Sequence, residues 1–242
     1  MKNKYFRFED VIVYGWYVMK ANLGFFVGVG FLWFLLTYLP SIAQIVLRQF
    51  PLTQVTFLTL YWVLIILGWV INIVLGIGII KIALSFCDEQ KPSVGTLFDA
   101  AACFWRYVGT AILYMLIVMG GFLLFIVPGI IWSIKFSLSF YFVIDKRLGP
   151  IQALKASSRT TNGVKFDLFA LGILLGVITF VGLMCFVVGV FATYPIVIVA
   201  KALVYRQLAA QTPELAEFNI APTPVDPVHP NPNWAQPTED HQ

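Results

Sequence analysis

The chain has 242 residues, of which 60% are hydrophobic and only 12% charged, and its mean hydropathy is +0.85. Soluble domains are about half apolar and about a quarter charged, so this composition excludes an ordinary water-soluble enzyme and indicates an integral membrane protein. The net charge of +4 is unevenly spread, because residues 1–211 hold all 16 basic and seven acidic residues, whereas residues 212–242 hold five acidic ones.

The long uncharged runs of the chain predict six transmembrane helices. A helix needs about 20 apolar residues to cross a bilayer, and the later runs are long enough to fold back on themselves. Pro128-Gly129 and the segment from Val188 to Pro195 are the expected breaks, since Pro and Gly favour turns. The predicted helices are residues 22–39, 55–86, 108–126, 130–145, 166–188 and 193–209. An alternative with four crossings makes the Pro128 and Pro195 hairpins re-entrant.

The basic residues predict the orientation. With six crossings, both termini and the links 88–106 and 145–165 lie on one side and carry most of the Lys and Arg, whereas the opposite side holds Arg48 alone. Basic residues are enriched in cytoplasmic loops, so both termini are predicted to be cytoplasmic.

Amphipathic segments are predicted to precede each membrane hairpin. The apolar residues of the segment 94–105 recur at helical spacing, and Phe8–Lys20 and Ile151–Thr161 look similar. The strings IKIALSF (80–86), IKFSLSF (134–140) and, more weakly, AKALVY (200–205) occupy the second helix of each hairpin. The predicted fold is therefore all-α, with three pseudo-repeats of an interfacial helix plus a hairpin. Chance matching of short apolar strings is the alternative.

Residues 212–242 are predicted to form a separate acidic, proline-rich cytoplasmic tail without stable structure, following an integral membrane domain of residues 1–211. The P-x-x-P spacing from Pro224 to Pro230 would suit a partner protein, but a solvated tail is the plainer interpretation. A third possibility is that its acidic residues fold back on the basic face of the membrane domain.

The repeated lysines are the candidate ligand-binding residues. Lys135 is predicted to lie deep in its helix, where a charge is costly and points to function. Ser139 and Ser85 follow Lys135 and Lys81 by four residues and so share their helix faces. Together with Lys201 they would form a cationic pocket for a phosphate or lipid headgroup if the hairpins converge. The alternative is that all three lysines reach towards the interface along their apolar stems.

Other chemistry is sparse. Arg106, Lys155 and Arg159 are predicted to contact lipid headgroups. All acidic residues fall outside the predicted hydrocarbon region, which disfavours cation-coupled transport. The three cysteines are scattered and both histidines lie in the tail, so no metal ligand set, catalytic motif or cofactor site is predicted. The basic residues alternate with membrane segments and do not indicate a nucleic-acid surface.

Two features bear on helix packing. Asn72 is predicted to bond a neighbouring helix rather than a substrate. The pairs Gly24/Gly28 and Gly172/Gly176 favour close approach of helices, either within the chain or in a homo-oligomer.

The segment from Ile126 to Gly163, IVPGIIWSIKFSLSFYFVIDKRLGPIQALKASSRTTNG, carries a P-G-I-I helix start, a V-I-D-K end and an A-L-K-x-S-x-R-x-T-x-G helix. In these motifs the chain resembles the YciC-like bacterial inner-membrane proteins and the membrane domain attached to some glycerophosphodiester phosphodiesterases. The resemblance implies a six-helix inner-membrane protein tied to envelope or lipid physiology. It carries over no catalytic residues, because the phosphodiesterase chemistry belongs to a soluble domain.

The predicted function is that of a non-enzymatic lipid-interacting or scaffold protein of the bacterial cytoplasmic membrane, with phospholipids as partners and a homo-oligomer or another inner-membrane protein as further candidates. The alternative is a channel or transporter for an anion or an anionic amphiphile. A membrane enzyme is the weakest of the three hypotheses.

Overall fold

The structure, a computed structural model, describes residues 6–50, 53–88, 90, 95, 100–184, 186–218 and 220. The regular structure in this part of the chain is helical throughout. Its α-helices are α1 (Phe8–Ala21), α2 (Leu23–Leu47), α3 (Gln54–Cys87), α4 (Phe104–Leu124), α5 (Ile126–Lys135), α6 (Ser139–Lys146), α7 (Pro150–Thr160), α8 (Lys165–Met184) and α9 (Phe186–Ala210), and 3-10 helices cover Ala100–Cys103 and Pro213–Phe218.

Five stretches among the described residues are long and apolar enough to cross a membrane, namely α2, α3, α4, the pair α5–α6 and α8. Their most apolar windows are poorly covered by the rest of the protein, as in α2, where 11% of the window is buried. Soluble proteins do not expose apolar surface on this scale, so these helices indicate a membrane-embedded protein. Helix α9 is a sixth long helix of 25 residues; the arrangement of six crossings stays a prediction.

The helices pack around α3 and α9. Helix α3 contacts α2, α4, α6 and α9, and α9 also contacts α1, α2 and α8. The buried core lies near one end of the bundle, where the last third of α3, most of α6 and the second half of α9 meet. We call this end the polar end, because the charged residues Asp88, Asp145 and Arg206 cluster there.

Two prolines lie inside helices, Pro40 in α2 and Pro195 in α9. Helix α2 continues past Pro40 to Leu47, and its predicted end at residue 39 is wrong. The Pro40 ring packs at the position of Gly68 on α3, where the absent side chain leaves room for it. Pro195 lies within α9, which begins at Phe186, so the break predicted between Val188 and Pro195 is wrong.

The turn between α4 and α5 is shorter than predicted. Only Phe125, in an extended conformation, separates the two helices, and Pro128 lies in the first turn of α5, where its missing N–H costs no helical hydrogen bond. The helix predicted over residues 130–145 is also interrupted, because Phe136–Leu138 form a turn between α5 and α6.

The amphipathic helices at Phe8–Lys20 and Ile151–Thr161 are confirmed as α1 and α7. Most of the third, over residues 94–105, lies outside the described residues; its described end is the short 3-10 helix that leads into α4. The start of the predicted tail is structured, since Pro213–Phe218 form a 3-10 helix whose Leu215 is only 2% exposed. The remainder of the predicted tail, from residue 221, lies outside the described residues.

Candidate functional site

Three helix ends meet in a buried ion cluster that the sequence did not reveal. Arg206 near the end of α9 is only 6% exposed, and its guanidinium donates to Asp88 Oδ2 at 2.6 Å and to Asp145 Oδ2 at 2.7 Å. Asp88 ends α3, and Asp145 lies in the last turn of α6. One buried cation therefore joins α3, α6 and α9.

The Asp145 carboxylate gathers two further partners. The hydroxyl of Tyr205 donates to Asp145 Oδ2 at 2.8 Å, and Lys146 Nζ lies 3.3 Å from the same oxygen. Burial raises the pKa of the Asp88 carboxyl, an effect that the Arg206 guanidinium opposes. The cluster contains two carboxylates and two cations, so its charges compensate one another. It therefore links the three helices and leaves no uncompensated charge for a ligand.

The break between α5 and α6 is satisfied by hydroxyl groups. A helix end leaves its last carbonyls without helical partners, and in a bilayer such groups are costly. Ser157 and Thr161 donate from the α7 segment to the Lys135 carbonyl at 2.9 and 3.1 Å, and Tyr114 donates to the Ser133 carbonyl at 3.2 Å. Both α7 residues belong to the A-L-K-x-S-x-R-x-T-x-G motif, so this motif docks α7 onto the break.

Removing the Ser157 and Thr161 hydroxyls should weaken the packing of α7 against the break between α5 and α6. We expect Ser157→Ala and Thr161→Val each to lower the free energy of unfolding by about 1 kcal/mol, and the double variant to lose more than either, because the Lys135 carbonyl then lacks both donors. Unfolding in mixed micelles measures this. Ser158→Ala is the matched control on the same helix, and an equal loss in that variant would contradict the assignment.

The predicted lysine and serine residues lie at different places in the fold. Lys135 is the last residue of α5, and its carbonyl accepts hydrogen bonds from Ser157 and Thr161. The Ser139 hydroxyl is buried and donates to the Phe136 carbonyl at 2.7 Å, whereas Ser85 donates to the Lys81 carbonyl at 3.1 Å. Both hydroxyls therefore bond backbone carbonyls close to them in the sequence. Lys201 is exposed on α9.

An apolar cavity of about 340 Å³ lies between α2, α3 and α9. Of its lining residues, Val29, Ile79, Ile82, Ala83 and Pro195 are buried, whereas Phe34, Tyr38 and Tyr194 are exposed. Its other lining residues are Phe26, Gly30, Trp33, Thr37 and Ile198. Lys81, Lys135 and Lys201 are not among the residues that line this cavity.

Polar groups beside the cavity hold the helices together. Asn72 donates to the Gly68 carbonyl of its own helix and accepts from Thr37 of α2 at 3.3 Å, which confirms that it bonds a neighbouring helix. The Trp33 and Tyr194 rings meet edge to face, with centroids 5.3 Å apart. The cavity walls are thus fixed by contacts between the helices that form them.

The predicted headgroup residues all lie around α7. Arg106 donates to the Arg147 carbonyl, where α6 ends in a left-handed turn. Lys155 is exposed, and Arg159 pairs with Glu217 of the 3-10 helix Pro213–Phe218. The fold-back of acidic tail residues onto the basic face is therefore observed for Glu217.

The predicted glycine pairs do not bring helices together within the part of the chain that the structure describes. A Cβ placed on Gly24, Gly28, Gly172 or Gly176 would meet no described atom within 4 Å. Packing inside the described part of the chain is therefore the wrong explanation for these pairs, and a homo-oligomer stays a prediction.

In comparisons with known proteins, no family model, no curated protein and no solved structure matches the chain. The class that the helices define is a membrane-embedded helical protein. The apolar cavity and the charged residues described above are therefore the features from which the function of this chain is inferred.

Proposed function

We propose that the chain is a non-enzymatic, lipid-interacting integral protein of the bacterial cytoplasmic membrane, acting as a scaffold or accessory protein in envelope homeostasis. The proposal includes six crossings with both termini in the cytoplasm. The observation that carries it is the apolar cavity between α2, α3 and α9, which we assign to a lipid acyl chain.

The position of the cavity supports this occupant. Helices α2 and α3 are long enough to cross a membrane, and three aromatic lining residues of the cavity, Phe34, Tyr38 and Tyr194, are exposed on the helix surface. A small cavity of about 340 Å³ with an apolar lining and few polar groups suits one apolar chain.

Lys201 supports an anionic headgroup on that chain. Tyr194, Ile198 and Lys201 are spaced i, i+4 and i+7 on α9, so they follow one face of the helix. Lys201 lies about 4.5 Å along the helix axis from Ile198, a lining residue, on the polar-end side. An ammonium one turn beyond an apolar cavity fits a lipid whose charged group lies near the interface.

The alternative, a conduit for an anion or an anionic amphiphile through a cavity lined by Lys135, Lys81 and Lys201, is less well supported. The lining of the cavity between α2, α3 and α9 is mainly apolar and aromatic and includes none of these lysines. The buried cation at the polar end, Arg206, is already paired with Asp145 and so is not free to bind an anion. Reconstituted anion flux that is lost in Lys135→Ala would favour this alternative.

Filling the cavity tests the proposal. We expect Gly30→Leu to weaken binding of a phospholipid about ten-fold or more, because a side chain in the cavity displaces about two buried methylenes worth about 0.8 kcal/mol each. Native mass spectrometry of the purified chain, titrated with phosphatidylglycerol, measures the loss.

Gly28→Leu is the matched control, since it makes the same change on the same helix at a position with no described atom within 4 Å. Equal lipid binding by the Gly30→Leu variant and the native chain would remove the basis of the proposal. Reporter fusions at the two termini separately test the predicted orientation.

A further inference from the structure

Helix α7 presents a basic stripe to the outside. Ile151, Lys155 and Arg159 follow one another at intervals of four residues, whereas Ala153 and Ala156 on the opposite face are fully buried. Two large apolar side chains on the adjoining helices are also exposed, Trp105 at 81% and Phe166 at 80%. Basic residues among exposed aromatic rings are typical of a surface that meets anionic lipid.

The 3-10 helix Pro213–Phe218 covers one end of this stripe. The Arg159 guanidinium donates to Glu217 Oε2 and to the Glu214 carbonyl at 3.4 Å, and it lies over the Phe218 ring, 5.2 Å from the ring centre. Lys155 adds a second positive charge that favours the ionised Glu217. Leu215, inserted in the core, holds the segment in this place.

The contact reproduces the chemistry of a phosphate site. A guanidinium bonds the oxygens of carboxylates and of phosphates through the same donors, with the same charge assistance. We propose that Lys155 and Arg159 of this stripe bind the phosphate of an anionic phospholipid, and that Glu217 pairs with Arg159 as an internal competitor when the lipid is absent. This inference rests on the proposed lipid interaction, but it concerns a site other than the cavity.

The pair has the properties that exchange requires. The side chains of Arg159 and Glu217 are 36% and 62% exposed, so their attraction is screened by solvent and is readily replaced. The Leu215 anchor keeps Glu217 near its partner, which raises its effective concentration. The hydrogen bond from Arg159 lowers the pKa of the Glu217 carboxyl, so the pair is complete at neutral pH and is lost as the pH falls through that lowered pKa.

Lipid titration of the full chain tests the competition. We expect Glu217→Gln to bind phosphatidylglycerol about two- to five-fold more tightly than the native chain, with no change for zwitterionic phosphatidylcholine. Glu214→Gln is the matched control, because Glu214 contacts Arg159 through its backbone carbonyl, which the substitution keeps. Arg159→Gln should weaken phosphatidylglycerol binding and abolish the effect of Glu217→Gln.

Hydrogen exchange of the peptide 213–218 supplies the second readout. Phosphatidylglycerol should raise exchange in the native chain, and inorganic phosphate at equal concentration should not. An equal rise with inorganic phosphate would overturn the lipid assignment. Unchanged phosphatidylglycerol affinity in Glu217→Gln would overturn the competition itself, and if Gly30→Leu still weakens lipid binding, the proposed function survives that result.

Discussion

Replacing Arg206 by Met should destabilise the protein strongly. The substitution removes the cation that joins Asp88 to Asp145 and leaves both carboxylates facing each other at the meeting point of α3, α6 and α9. Breaking a buried ion pair on one side costs about 3–5 kcal/mol, because the remaining charge keeps its desolvation penalty without its partner. Unfolding of the purified protein in mixed micelles measures the loss.

Two further variants separate charge from packing. Adding Asp88→Asn and Asp145→Asn to Arg206→Met removes the uncompensated charges and should recover much of the lost stability. Arg48→Met, at an exposed position, is the matched control and should change the free energy of unfolding by less than about 0.5 kcal/mol. A triple variant no more stable than Arg206→Met would show that the cluster acts through shape and not through charge.

The second large effect is expected at the hairpin of α4 and α5. A Cβ on Gly121 would lie 2.9 Å from Gly129 Cα and 2.9 Å from Trp132 Cε3, so the two helices touch through their glycines. Gly121→Val should cost about 3 kcal/mol, since a backbone atom cannot turn aside as a flexible side chain does. Thermal unfolding in detergent, followed by far-UV circular dichroism, reports the change.

The neighbouring glycine provides the control. A Cβ on Gly120 would meet no described atom within 4 Å, and both residues lie in the same helix with the same intrinsic propensity. Gly120→Val should therefore leave the unfolding temperature close to that of the native chain. Equal losses in the two variants would mean that β-branching in α4, rather than the contact with α5, explains the result.

The helices were predictable because hydropathy acts locally. Runs such as 55–86 and 166–188 are apolar enough that only a buried or membrane helix can contain them, and α3 and α8 match these ranges within a few residues. Pro195 misled the prediction, because local rules treat proline as a break, whereas both Pro195 and Pro40 lie within helices in the structure. The turn at Phe136–Leu138 has no local signal, since the α7 segment supplies hydrogen-bond donors from 22 and 26 residues beyond Lys135.

The candidate site was predictable only in part. Arg159 and Lys155 could be singled out because basic residues on an amphipathic segment are visible in the sequence, and their contact with lipid headgroups stays a prediction. The cluster of Asp88, Asp145 and Arg206 was missed, because each residue alone resembles an ordinary charge at a helix end, and their convergence depends on how α3, α6 and α9 pack. The apolar cavity likewise depends on the spacing of three helices, which no local pattern encodes.

Helices α1 and α9 pack together, and this has a consequence for biogenesis. Helix α1 packs on α9 so closely that a Cβ on Gly15 would lie 2.9 Å from the Ile196 carbonyl oxygen, and the Tyr14 hydroxyl donates to the Phe86 carbonyl at 2.8 Å. During synthesis the face of α1 that contacts α9 therefore stays uncovered until α9 has left the ribosome, although Tyr14 can bond α3 earlier. A nascent chain stalled before α9 would keep that face open to quality-control proteases.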